Sequence, residues 1–295
     1  MKLIKEKIID DFNGVGEMIE IPSSKLYTNN QYLYVCKNSG LVRAKHLRSA
    51  KEIAKAWSDE VYSNKFDDRT YTARIPAVKA RHTYVADFAH MHLDLKNKDV
   101  CDIGAGEGQF FEIISGKDYQ ANCYGIEPSK KNCEQLLIKE FDCFTGTIEE
   151  YAQSSNINDR KFDIITIMWT LVNSASCLDM MHSAFEMLKP GGHIVVAEGS
   201  RILVPFKKPL NYYFSKLSVD LHPYHFSANS LANLLQVAGF KITNINRYID
   251  SDYLCLIAKK VDKLDDDSFE VDNCDEVLSF FERWHIETQE YYKDK

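Results

Sequence analysis

The segment with the clearest chemical content is a glycine-rich loop that follows a short apolar run. It reads Val-Cys-Asp-Ile-Gly-Ala-Gly-Glu-Gly over residues 100–108, directly before a predicted helix. Alternating glycines let a ligand approach the backbone closely, as in loops that hold a pyrophosphate at a helix N-terminus. Here Gln109 occupies the place of that pattern's third glycine, and Asp102 and Glu107 add two carboxylates. Carboxylates repel phosphate and attract cations, so the loop predicts a positively charged ligand.

A further carboxylate, Glu127, follows the next predicted strand, Tyr124–Ile126, and precedes Pro128. It lies roughly twenty residues beyond the loop, the spacing at which nucleotide-binding folds place the acid that accepts both hydrogen bonds of a ribose diol. An adenosine with an ammonium and a sulfonium on its tail satisfies both features. The two motifs therefore predict adenosine joined to a cationic methionine tail.

Residues 97–260 resemble the class I S-adenosylmethionine-dependent methyltransferases in the loop, in Glu127 and in the run Leu-Lys-Pro-Gly-Gly at 188–192. The resemblance implies S-adenosylmethionine as cofactor. It implies that the first motif holds the methionine end and the ribose, that the segment after the third strand borders adenine, and that the fourth-strand motif lines the methyl-donor pocket. The cofactor-binding residues implied in this way are Asp102, Gly104, Ala105, Gly106, Gly108, Glu127, Pro128, Thr147, Ile148, Met168 and Trp169. Asp102 as a loop cap and Trp169 as a core aromatic are the structural alternatives.

The sequence departs from the family pattern in two places. Many relatives carry Leu-Glu-His after the fourth-strand motif, whereas this chain has Leu171-Val172-Asn173 and lacks that histidine. The segment from Tyr34 to Val42 resembles the second half of a zinc-ribbon head found before some sugar-modifying methyltransferases. It retains Cys36 alone among four cysteines, with Ser39 at another position, and a structural zinc needs four ligands. We therefore predict a metal-free remnant.

The segment after the fifth strand is the predicted acceptor side, because ligands of open α/β sheets bind beyond the carboxyl ends of the strands. It concentrates cations, tyrosines and histidines, which suits an anionic or polyhydroxylated acceptor. Its His-x-x-His-Phe-Ser run resembles the same position in sugar and polysaccharide-locus methyltransferases. The predicted substrate-binding residues are Arg201, Tyr212, Tyr213 and His222, and the catalytic candidates are His225, His222 and Glu198. A helix-capping role for the two histidines remains open.

The order of elements around these motifs predicts an α/β fold. Apolar, β-branched runs alternate with helical patterns, which is typical of βαβ units and a mostly parallel, Rossmann-like sheet. Lys241–Ile249 and Tyr253–Lys259 predict an antiparallel hairpin at the C-terminal edge of that sheet. We predict an N-terminal extension or lid over 1–80 with a hairpin and a helix, a cofactor-binding domain over 81–260, and an acidic linker with a C-terminal helix over 261–295.

Composition narrows the class of protein. The chain has 295 residues, 45% of them hydrophobic and 27% charged, which is ordinary globular usage. Its formal charge of −7 disfavours nucleic acid as a partner. The eight scattered cysteines contain no C-x-x-C pair and fit a reduced, cytoplasmic protein. Because no stretch approaches the ~20 apolar residues of a membrane span, we expect no membrane partner.

The leading functional hypothesis is methyl transfer from S-adenosylmethionine to a small molecule, with a sugar or glycan precursor as the predicted acceptor and carbohydrate biosynthesis as the setting. A cofactor-binding subunit without activity is the alternative suggested by Asn173. A nicotinamide oxidoreductase is disfavoured by Glu107 and Gln109. Methylation of another small metabolite, the atom methylated and the oligomeric state stay open.

Overall fold

The computed structural model describes residues 5–10, 12, 14–26, 32–61, 69–199, 201–204, 210, 222–246, 253–264 and 270–292. Seven of the described strands form one sheet in the order β11-β12-β9-β8-β5-β6-β7. These strands are β5 (Asp99–Ile103), β6 (Asn122–Glu127), β7 (Asp142–Thr145), β8 (Phe162–Met168), β9 (Leu188–Glu198), β11 (Phe240–Ile245) and β12 (Leu254–Lys260). β5 to β9 run parallel, whereas β12 is antiparallel to both β9 and β11. The Rossmann-like sheet with its antiparallel edge hairpin is confirmed.

Nine α-helices lie within the described residues. In chain order they are α1 (Ala50–Lys55), α2 (Arg69–Leu93), α3 (Gln109–Ile114), α4 (Lys130–Ile138), α5 (Ile148–Gln153), α6 (Asn156–Asp159), α7 (Cys177–Met187), α8 (Ala228–Val237) and α9 (Cys274–Tyr292). The helices from α3 to α8 connect strands of this sheet. Several helices begin at side chains that cap the first turn of the helix. Ser49 with Glu52, Thr147 with Glu150 and Ser227 with Ser230 form capping boxes.

A second sheet joins the N-terminal residues to the segment after β9. Its order is β1-β2-β3-β4-β10, from β1 (Lys5–Asp10), β2 (Gly14–Glu20), β3 (Leu33–Cys36), β4 (Val42–Ala44) and β10 (Tyr224–His225). The hairpin of β3 and β4 is the one that the sequence predicts. Helix α9 packs on this sheet through Val277, Phe281 and Trp284, which are buried with Leu33 and Val35.

Two elements differ from the sequence-based expectation. Lys189-Pro-Gly-Gly192, whose Pro and Gly residues are typical of a turn before a strand, belongs to β9 itself. This strand already pairs at Leu188 with Phe162, and the extra residues appear as a register shift before Ile164. The predicted domain boundary at residue 80 falls inside the continuous helix α2.

Two expectations from the sequence, a metal-free remnant of a zinc ribbon and no membrane span, can be compared with the described residues. Cys36 is buried at the end of β3, and Ser39 lies in the turn that follows. Among the described residues, no group of three or more His, Cys, Asp or Glu side chains is arranged to hold a metal ion. No helix within the described ranges is long and apolar enough to cross a bilayer.

Candidate functional site

The glycine loop leaves β5 and turns back over the carboxyl ends of the strands. Gly104, Gly106 and Gly108 have φ angles of +83°, +57° and +79°, a region that L-residues with a Cβ adopt at a cost. A Cβ at Gly104 would collide with the Thr170 side chain, whereas a Cβ at Gly106 meets nothing within 4 Å. Gly106 therefore borders open space, while Gly104 is packed against the end of β8.

Glu127 fastens the loop to the next strand. The Gly106 N–H donates to Glu127 Oε2 at 2.9 Å, and the Ser129 N–H donates to Oε1 at 2.8 Å. The side-chain amide of Asn132 also donates to Oε1 at 3.3 Å. The carboxylate is 3% exposed and belongs to the wall of a cavity. These three donors hold the carboxylate in a fixed orientation on the cavity wall.

Asp102 is the second buried carboxylate of this wall. The Thr166 hydroxyl donates to Asp102 Oδ1 at 2.6 Å. Burial raises the pKa of Asp102 to about 8, the Thr166 hydrogen bond opposes the rise, and the Glu127 charge adds to it. A cationic group bound beside Asp102 reverses this balance and favours its ionised form. The pair of acids thus suits a ligand with a positive charge.

Trp169, directly after β8, forms one side of the cavity. It has a φ of +52°, rare for a bulky side chain, and the Asn173 side-chain amide donates to its carbonyl at 3.0 Å. The Arg81 guanidinium from α2 lies 4.6 Å from the centre of the indole ring, and the His82 ring lies 5.6 Å away. A strained backbone of this kind persists where the surrounding contacts fix it. The contacts with Asn173, Arg81 and His82 therefore hold Trp169 in its position in the cavity wall.

Asn173 and His222 meet at the cavity wall. Asn173 lies in a 3-10 turn, Leu171–Asn173, and its Oδ1 forms a short hydrogen bond with His222 Nδ1. An amide oxygen only accepts, so Nδ1 of the imidazole carries the proton and Nε2 is left as the basic nitrogen. Burial lowers the pKa of His222, which keeps the ring neutral at pH 7. The arrangement is that of a general base with an orienting partner.

Glu198 fixes the backbone turn that carries Asn173. It ends β9, is 1% exposed, and its Oε1 accepts from the N–H groups of Leu171 at 2.8 Å and Val172 at 3.3 Å. Burial raises the pKa of Glu198 to about 8, although the backbone hydrogen bonds oppose the rise. The carboxyl group thus holds the 3-10 turn that presents Asn173.

These elements enclose one cavity of about 500 Å³. This volume is in the range of pockets that bind cofactors and small molecules. One end is formed by the glycine loop with the ends of β6 and β8, and the other by α1 and α2. The cavity is lined, among others, by Asp102, Gly104, Ala105, Gly106, Glu127, Pro128, Thr147, Ile148, Met168, Trp169, Asn173 and His222.

The structure places the predicted site residues in three groups. All predicted cofactor-binding residues except Gly108 line the cavity, and Gly108 is instead the N-cap of α3. Of the catalytic candidates, His222 lines it, whereas Glu198 and His225 lie outside its described lining. Arg201 is half-buried outside the lining, and burial lowers its pKa. Tyr212 and Tyr213 lie outside the described residues.

Two wall elements come from the N-terminal region, which the sequence predicts as an extension or lid without naming residues that line the site. Helix α1 contributes Ala50, Ile53 and Ala54, the π-helical segment Ala56–Val61 that continues it contributes Trp57, and α2 contributes Val78, Arg81 and His82. The signal in α1 is the i, i+3, i+4, i+7 spacing of its apolar residues after the Ser49 cap. Burial lowers the pKa of His82 to about 4, so this ring is neutral beside Trp169.

The burial of His225 leads to a prediction about how stability depends on pH. It pairs with Val42 in the second sheet, is 4% exposed, and burial lowers its pKa to about 3. Because the unfolded chain binds a proton near pH 6.5 and the folded chain does not, stability falls as the pH falls below 6.5. Between pH 6.5 and 5 we expect this histidine to account for a loss of about 2 kcal/mol. Urea denaturation of His225→Gln at both pH values should show a smaller loss than wild type; an equal loss would contradict the assignment.

Gly106→Ala tests whether the open space beside the loop is ligand space. A methyl group there meets no protein atom, so we expect a stability cost of only about 1 kcal/mol from the positive φ. The same methyl group projects into the cavity, and we expect S-adenosylhomocysteine to bind about tenfold more weakly. Calorimetric titration and thermal melting measure the two effects, and undiminished affinity would place the ligand elsewhere.

Comparison with known proteins agrees with this geometry. Residues 77–245 match a family model described as a methyltransferase domain. Ubiquinone biosynthesis O-methyltransferase of Aliivibrio fischeri (strain MJ11) is 26% identical over 175 residues, which are 57% of this chain and 64% of that protein. Demethylmenaquinone methyltransferase of Tropheryma whipplei (strain Twist) is 26% identical over 167 residues, covering 51% and 69%. The matched segment thus spans less than two thirds of the Aliivibrio protein.

Solved structures show the same fold. The 1,6-didemethyltoxoflavin-N1-methyltransferase of Burkholderia thailandensis, with bound S-adenosylhomocysteine, superposes with a TM-score of 0.54 at 15% identity, covering 75% of this chain and 96% of that one. Magnesium protoporphyrin IX methyltransferase of Synechocystis PCC 6803 gives a TM-score of 0.52 at 13% identity, covering 72% and 100%.

The family model covers more than half of the chain, and the protein therefore belongs to the methyltransferase domain family. S-adenosylmethionine is the cofactor of this family, as the sequence predicts, and the residues present fit it. The buried acid pair and the open space at Gly106 supply the anionic, close-approach surface that an adenosine with a cationic tail needs.

Proposed function

We propose that this protein transfers a methyl group from S-adenosylmethionine to a hydroxyl oxygen of a small aromatic acceptor, with His222 as the base. One observation carries the proposal: a single cavity is lined by the glycine loop with Glu127 and also by the Asn173–His222 pair. The cofactor supplies an electrophilic methyl group. The protein's task is to align the acceptor with it and to remove the acceptor's proton.

The residues divide this work between them. Glu127 and Asp102 lie where a ribose diol and a cationic tail would be held. His222 accepts the acceptor's proton at Nε2, and Asn173 keeps Nδ1 protonated so that Nε2 stays free for it. Residues of α1 and α2 form part of the wall around the reacting groups. Glu198 acts indirectly, by holding the turn of Asn173, and we assign no acceptor contact to His225.

An aromatic acceptor suits the wall opposite the loop. Ala50, Ile53, Ala54 and Trp57 present an apolar helix face, and Met180 adds to it. Such a face packs against a flat ring and offers few partners to a polyhydroxylated sugar. The relatives named for ubiquinone and menaquinone biosynthesis favour the same class. The sugar or glycan precursor predicted from the sequence depends on Arg201, outside the lining, and on tyrosines outside the described residues.

An acceptor panel tests the proposal. The protein is incubated with S-adenosylmethionine and either catechol- and hydroquinone-type phenols or free and nucleotide-linked sugars, and S-adenosylhomocysteine is quantified. We expect turnover with phenols. Turnover confined to sugars would move the acceptor to the class predicted from the sequence. Tight cofactor binding without turnover on any acceptor would favour the non-catalytic subunit that Asn173 suggested.

A further inference from the structure

Two cysteines that the proposed reaction does not use lie in direct contact beside the cofactor wall. Cys133 is in α4 and Cys143 is in β7, and their Sγ atoms are 2.7 Å apart. A disulfide bond is about 2.05 Å long, so the sulfurs need to approach by roughly 0.65 Å. Helix α4 packs directly against β7, which keeps the two side chains facing each other. The pair can therefore be joined without unfolding either element.

The two thiols also differ chemically from Cys101, Cys123 and Cys255. Each sulfur can donate its proton to the other, and this sharing lowers the pKa of Cys133 while it raises that of Cys143. Burial instead raises the pKa of Cys123 to about 12 and raises those of Cys101 and Cys255. Since the thiolate is the reactive form, oxidation favours the Cys133–Cys143 pair. Cys133 itself is 2% exposed, whereas Cys143 in contact with it is half-buried, so a small hydroperoxide approaches the pair from the Cys143 side.

Helix α4 links this pair to Glu127. Cys133 Sγ lies 3.3 Å from the Glu127 carbonyl oxygen. The Ser129 N–H at the start of the same helix and the Asn132 side chain in its first turn donate to Glu127 Oε1. A displacement of Cys133 towards β7 therefore moves two of the donors that hold the carboxylate.

We propose that Cys133 and Cys143 form a dithiol modification site, which a hydroperoxide oxidises to a disulfide and which thereby weakens cofactor binding. The thiolate attacks the peroxide, the O–O bond breaks, and a sulfenic acid and water form. The second thiol then displaces the hydroxyl group as water. In sum, two thiols and one hydrogen peroxide give one disulfide and two waters, with both sulfurs oxidised and the peroxide reduced.

The first measurement identifies the bond. Wild-type protein is treated with an equimolar amount of hydrogen peroxide, alkylated under denaturing conditions, and digested for mass spectrometry. We expect a peptide pair linked through Cys133 and Cys143, with Cys101, Cys123 and Cys255 alkylated as free thiols. Full alkylation of Cys133 and Cys143 after peroxide, or a link to a different cysteine, would overturn the proposal.

The second measurement tests the coupling to the cofactor site, and it needs no methyl acceptor. We expect peroxide to raise the Kd of S-adenosylhomocysteine about tenfold in wild type, and dithiothreitol to restore it. Cys143→Ser should keep its Kd through the same treatment, whereas the matched variant Cys123→Ser in β6 should respond like wild type. A peroxide effect that survives in Cys143→Ser, or a disulfide that leaves the Kd unchanged, would contradict the coupling. Failure of methyl transfer on every acceptor would leave both readouts intact.

Discussion

His222→Ala is expected to lower kcat by about 10²–10⁴ on a phenolic acceptor while S-adenosylhomocysteine affinity stays within about twofold of wild type. The reason is the division of the cavity: His222 lies on the Asn173 side, whereas the cofactor wall is built by Glu127 and the glycine loop. The magnitude is that of a lost general base. Steady-state kinetics and calorimetric titration on the same preparation give both numbers.

The pH dependence of kcat and two further variants test the same role of His222. Because burial lowers the pKa of His222 below 6.5, wild-type kcat should be level above pH 6.5 and fall only at lower pH. Asn173→Ala removes the group that orients the ring, so kcat should drop by a smaller factor without a loss of affinity. His182→Ala, at an exposed position of α7, should behave like wild type. Full activity of His222→Ala would remove this histidine from the mechanism.

Glu127→Gln is expected to weaken S-adenosylhomocysteine binding by about 2–4 kcal/mol, because a buried charged acceptor for the ribose diol is lost. The change also weakens the hydrogen bond from the Gly106 N–H, which orders the loop before the ligand arrives. Affinity should therefore fall roughly 30- to 800-fold. Calorimetric titration measures it, and circular dichroism checks that the fold is retained.

A matched change separates this effect from a general loss of negative charge. Glu134 lies on α4, the helix that follows Glu127, but its side chain is exposed and does not line the cavity. Glu134→Gln should leave the Kd within about twofold of wild type. If both variants bind equally well, Glu127 is not the ribose ligand.

Local sequence carries much of the fold and of the cofactor wall. The glycine loop and the acid that ends β6 are each predicted from a few neighbouring residues, because turns depend on local backbone chemistry. These residues lie where parallel strands end, so the sheet brings them together as the βαβ pattern predicts. The assignment of cofactor ligands within that wall remains a prediction.

The acceptor side could not be read in the same way. His222 reaches Asn173 because the Ala44 N–H donates to the Pro223 carbonyl at 2.7 Å and β10 then pairs with β4. A strand of two residues leaves no periodicity, and its partner lies far away in sequence. For this reason the sequence ranked His225 ahead of His222 as the candidate base, although strand pairing buries His225 and it is His222 that lines the cavity.

Two other features of the structure also depend on contacts that form only in the folded chain. Asn173 looked like the loss of a catalytic histidine, yet it bonds an imidazole that comes from the segment after β9. The contact between Cys133 and Cys143 is likewise invisible in their spacing, since it depends on how α4 settles on β7. Side chains that meet only in the folded chain carry the features that sequence patterns miss.

The most direct test of the account is a crystal structure of the protein with S-adenosylhomocysteine. We predict the ribose hydroxyls on Glu127, the amino group beside Asp102, and the sulfur facing the part of the cavity that His222 lines. Such a complex would place the transferred methyl group between the cofactor and the proposed base. A complex with the sulfur turned away from His222, or with the ligand bound outside the cavity, would contradict the proposed mechanism.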